Sequence, residues 1–206
     1  MKKIVTFDPI VIPLPEKMIY RRLGYKTGVT QVTPAQTTEI QKYVEDAQSI
    51  IHLMGTALHL PIAERSAVDI RLENGVTFHS RKLSTFLSKS TEVLIMAATA
   101  GNDIMEAIRK DTTGSNVTRG VVLDATASEM VDAALDWIVA YFNQLLRREN
   151  RTVTQSRFSA GYGDFPLTDQ VVIHKILNLE KIGVSITESC MLIPEKSVTA
   201  IAGIIG

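Results

Sequence analysis

One cysteine, one tryptophan and an aromatic content of 6% among 206 residues remove several chemistries at once. The lone Cys190 excludes an internal disulfide and a cysteine-rich metal site, and it suits a reducing compartment. Charge of either sign is not in excess: 22 Lys and Arg face 22 Asp and Glu, for a formal net charge of zero. Bulk electrostatics therefore give no reason to expect nucleic acid or an anionic membrane surface as partner, and no basic patch is longer than Arg147-Arg148. No apolar run approaches the roughly 18 residues of a membrane span, and no basic segment followed by an apolar one opens the chain. A cytoplasmic protein without membrane contact is the expectation. Catalytic spacings are missing too. His52, His59, His79 and His174 fall on separate elements with no His-x-Glu or His-x-x-x-His pair, so no metal site is expected. There is no Gly-x-Ser-x-Gly, and Cys190 sits in an apolar run, so no nucleophile and no catalytic residue is assigned.

What is present reads as one α+β domain. Pro9, Pro13 and Pro15 rule out a helix over residues 1–15, which read as an extended N-terminal arm ahead of a domain over 16–206. "PEKMIYRRLGY" starts on Pro15 and stops near Gly24, a short helix. Thr33 and Pro34 open a second helix whose apolar positions, Ile40, Tyr43, Val44, Ala47, Ile50, Ile51 and Met54, keep helical spacing. Alternation at Val68, Ile70, Leu72, Val76 and Phe78 around Asn74-Gly75 predicts a hairpin with a two-residue turn. "EVLIMAATAG" predicts a buried strand, "NDIMEAIRK" a helix, and residues 118–149 a long helix. Residues 168–183 predict another helix. "VSITESCMLI" and "SVTAIAGII" predict two strands paired antiparallel across Pro194. Helices and strands do not alternate, so the sheet is expected to be mainly antiparallel, twisted and flanked by helices.

Two loops invite chemistry. "TAGND" at 99–103 joins a strand to a helix, where backbone amides could meet an anion or simply make a turn. The richer one is "RFSAGYGDFPLTDQ", residues 157–170. It is not a dinucleotide fingerprint, because the third glycine is missing and Pro166 interrupts the following helix. Arg157 offers a fork for a carboxylate, and two glycines around Tyr162 let the backbone approach a ligand. On the residues alone, a ligand cradle and a tight turn with Arg157 on a carbonyl remain equally open.

Arg157, Gly161 and Tyr162, a helix ending at Gly183, then "ITES" and "SVTAIAG", together resemble the activation domain of vitamin B12-dependent methionine synthase. "LDATASEMVDAALDW" is similar to that family's acid-bearing helix, with Glu129 as the matching acid. The resemblance covers residues 90–206 and, loosely, "YRRLGY"; "GYGDFPL" looks like the stand-alone relatives of the domain. It implies binding of S-adenosylmethionine (AdoMet), with Arg157 on the ligand carboxylate. It also implies that the backbone of Ser159, Ala160, Gly161, Tyr162 and Gly163 lies along the adenine or ribose, that Glu129 meets the amino or ribose end, and that Tyr162 approaches a corrinoid. The implied role is reductive methylation of the cobalamin of a separate methionine synthase or other corrinoid methyltransferase, with a flavodoxin or ferredoxin as electron donor. The chain departs from the pattern in two places. Gly163-Asp164-Phe165-Pro166 replaces Pro-Ala-Cys-Pro, and the acid that the family often carries shortly before the arginine is absent from "TVTQS". No Asp-x-His-x-x-Gly motif is present, so cobalamin would be met only on the partner. The alternative reading is a non-catalytic module of the same fold that docks on a corrinoid protein or senses a ligand.

Overall fold

The computed structural model describes residues 4–26 and 28–206. Its centre is strand β5 (Glu92–Thr99), seven of whose eight residues are buried. The reason is that this strand is covered on both faces. Leu94, Met96 and Ala98 point into one core, and Val93, Ile95 and Ala97 into the other, which is why it reads as an uninterrupted apolar run instead of alternating with polar residues.

On either side of β5 lie β2 (Met54–Arg65) and β9 (Ser197–Ile205). The sheet continues through β3 (Asp69–Leu72) and β4 (Thr77–His79) beyond β2, and through β6 (Thr152–Val153) beyond β9. Strand β1 (Val5–Phe7) also pairs with β2, and the ladders of this sheet are antiparallel. The long β2 had no counterpart in the sequence reading, which instead counted Met54 into the preceding helix. Pro61 and Gly55 disguise it. The N–H that Pro61 lacks would face β3, while its neighbour Ile62 donates to Thr91 on the β5 side and the strand survives where its outer partner changes.

The first core lies under α5 (Val117–Leu146), a 30-residue helix about 45 Å long, with α4 (Asn102–Thr113) and α2 (Pro34–Ile50) beside it. Thr33 caps α2 as foreseen, in a reciprocal box with Gln36. In the N-terminal arm, Phe7 is buried and set edge-on to Trp137 and Tyr141 at 5.2 and 5.0 Å, so the arm's β1 packs on its own chain. Its residues 1–3 lie outside the described residues. Helix α1 (Glu16–Arg22) lies against α5. The second core gathers α3 (Arg81–Phe86), α6 (Asp169–Leu177) and the loop around Phe165.

Three local expectations are corrected. The hairpin turn holds three residues, since Leu72 N–H bonds to Val76 O and Gly75 adopts φ +87°. The helix foreseen over 168–183 breaks at Asn178, whose φ of +52° ends α6 before a 3-10 turn over Leu179–Ile182, a conformation that asparagine tolerates. The run at 184–193 does not pair with β9. It folds on itself as β7 (Ser185–Ile186) and β8 (Leu192–Ile193), because Cys190 at φ +64° closes a tight turn, while β9 inserts between β5 and β6.

Candidate functional site

The loop 157–170 is fastened at three points. Phe158 exchanges backbone hydrogen bonds with Ile201 of β9 in both directions. The Ser159 hydroxyl donates to Thr199 O at 2.8 Å. Farther along, Asp164 accepts from the Ser80 hydroxyl at 2.6 Å and from the backbone N–H groups of Arg81 and Lys82 at the start of α3. Those bonds, the Ser80 hydroxyl first, hold the Asp164 carboxyl below its usual range. Beside it Phe165 is fully buried against Phe78. Gly161 and Gly163, at φ +89° and +63°, let the chain turn between these anchors. The result is a rigid loop whose tip, Tyr162, is 69% exposed.

An open cleft of about 580 Å³, within the range of small-molecule sites, lies between this loop, β9 and α5. Arg157, Ser159, Ala160 and Tyr162 line it together with Asp132, Gln170, Met191 and Thr199. Four of the sequence-predicted site residues thus converge. Gly161 and Gly163 shape the loop without lining the cleft, and a Cβ on Gly163 would run into Lys82. Glu129 is also off the lining. It is buried between α5 and α1, where Arg22 Nε donates to it.

The acid that does line the cleft, Asp132, belongs to a row on α5. Asp124, Ser128, Asp132 and Asp136 follow at four-residue steps, hence on one helix face. Lys196 pairs with Asp124 at 2.7 Å and donates to Ser128. At the other end Arg157, 22% exposed, donates to Asp136 at 2.6 Å, while Asp136 itself is 73% exposed. Between them Asp132 has, among the described residues, Arg22 Nη2 at 3.9 Å as its cation within ion-pair reach. Half of its side chain meets solvent, yet burial pushes its carboxyl above the usual range. Glu129 and Asp136 add to that push, and Arg157 and Arg22 oppose it. Sequence reasoning passed over Asp132, Asp136 and Gln170 because acids and amides at helix-surface spacing look like solvated positions. For the two aspartates, the four-residue step from Asp124 was the available signal.

The remaining candidates are structural. In "TAGND" the Ala100 N–H donates to Lys196 O and the Gly101 N–H to Thr99 Oγ1, so those amides are engaged in a strand-to-helix turn. The histidines sit apart, with Asp8 near His52, Glu92 near His59, Asp69 near His79 and the Val184 carbonyl near His174. Among the described residues no group of three metal-ligating side chains forms, and no helix is long and apolar enough to cross a membrane. Cys190 lies in the β7–β8 turn, part-exposed, not inside an apolar strand as first read.

No family model and no curated protein matches the sequence. At the level of structure, the crystal structure of the MetH reactivation domain bound to AdoHcy matches with a TM-score of 0.73 at 15% identity, covering 98% of this chain and 78% of that one. A helix-flanked antiparallel sheet with this connectivity is therefore the fold of the MetH reactivation domain.

Proposed function

We propose that the chain is an AdoMet-binding reactivation module acting on a corrinoid held by a separate protein. The observation that carries this reading is the cleft. A mostly buried guanidinium, an exposed tyrosine ring and the Asp132 carboxylate of α5 converge on one opening. AdoMet presents the complementary set, a carboxylate, cationic centres and a planar base. The structural neighbour, bound to AdoHcy, supports the same ligand class, since AdoHcy is what remains once AdoMet gives up its methyl. In this reading Arg157 takes the ligand carboxylate, and the Ser159 and Ala160 backbone with Tyr162 flanks the nucleoside. The protein's contribution is orientation, because the methyl acceptor is the reduced corrinoid on the partner and the sulfonium leaves as AdoHcy with its electron pair.

Methyl transfer tests it directly. AdoMet labelled in the methyl group is incubated with the protein, a corrinoid methyltransferase carrying cob(II)alamin, and reduced flavodoxin. Label should enter the corrinoid faster when the protein is present. Equal rates with and without it, across several such methyltransferases, contradict the reading.

A further inference from the structure

We infer that Asp132 is the acceptor for the ligand's α-ammonium group, and that Asp136 is an internal stand-in for the ligand's carboxylate on Arg157. This rests on the reading of the cleft as an AdoMet site and names how the amino-acid end is recognised.

The argument starts from the charges along α5. Asp124 is matched by Lys196 at 2.7 Å and Asp136 by Arg157 at 2.6 Å. Asp132 lines the cleft between them with Arg22 Nη2 at 3.9 Å, near the limit of ion-pair distance. Arg157 acts on it from outside ion-pair distance, and among the described residues no cation lies closer than Arg22; a carboxylate half-withdrawn from water in this way is costly, and a ligand cation would relieve that cost. Spacing agrees: Asp132 and Asp136 are one helical turn apart, about 6 Å along the axis. An α-amino acid carries both charges on one carbon, so a group that replaces Asp136 on Arg157 brings its ammonium toward Asp132. Displacing Asp136 is easy because it is 73% exposed, and exposed ion pairs contribute little.

The test is calorimetric titration of wild type, Asp132→Asn and Asp136→Asn with AdoMet, AdoHcy and 5′-methylthioadenosine, which lacks the amino-acid end. Asp132→Asn should weaken AdoMet and AdoHcy alike by about tenfold or more and leave methylthioadenosine within about twofold. Asp136→Asn should tighten both amino-acid ligands, because Arg157 is then uncovered. Wild-type affinity for AdoMet in Asp132→Asn overturns the inference and leaves the AdoMet reading intact. A loss for AdoMet without one for AdoHcy overturns it as well, because the charge read is then the sulfonium. An equal loss for methylthioadenosine overturns it by showing a structural role. No AdoMet binding by any of the three proteins overturns the underlying reading and the inference together.

Discussion

Two aspartates show how one residue type is turned to opposite ends. Asp164 is held ionised by the Ser80 hydroxyl and two backbone N–H groups. Its folded pKa lies below the unfolded value, so its stabilisation is present at neutral pH and is lost as pH falls through the folded pKa. Asp164→Ala should lower Tm at pH 7, with the gap to wild type closing in strong acid; thermal melts across pH check it. Asp132 is shifted the other way. Its contribution is favourable below the unfolded pKa, near 3.9, and is lost as pH rises through the raised folded value. Asp132→Asn should therefore be more stable than wild type at pH 7, by at most about 1 kcal/mol given its exposure, and equal to it near pH 3. Denaturant melts at the two pH values decide this. Of the site, Arg157 and the loop were legible because glycine, proline and arginine carry distinctive local signals. Asp132 and Asp136 were not, because their meaning depends on which helix face meets β9, a tertiary fact.

Elements were legible where one physical cause dominates. The apolar run of β5 and the Thr33 cap of α2 each announce themselves, and both formed as expected. Strand β2 was missed because it exchanges partners midway, from β1 to β3, so neither its alternation nor its Pro61 fits a single environment. The end of β9 shows how closely the layers approach. A Cβ on Gly203 would collide with Ser90 Oγ and fall 3.0 Å from its Cβ. Gly203→Ala should destabilise by about 1–3 kcal/mol through overpacking, and Ser90→Ala in the same chain should recover part of that loss. Chemical denaturation of the single and double variants measures the coupling; additive losses would contradict the contact.

For the whole molecule, the sheet separates two cores, and the cleft opens where α5 from one side meets the loop from the other. Composition and periodicity led to the α+β class, and the family resemblance to the activation-domain likeness; both hold, and at 15% identity the structural likeness bears on fold. Function has to be read from the site. The central claim is that Arg157 makes this cleft an AdoMet site. Calorimetric titration of wild type and Arg157→Ala with AdoMet tests it most directly. Saturable wild-type binding, weakened by about 1.5–3 kcal/mol in the variant through loss of a charged hydrogen bond, is the predicted result. Equal affinity in the two proteins, or none in the wild type, would contradict it.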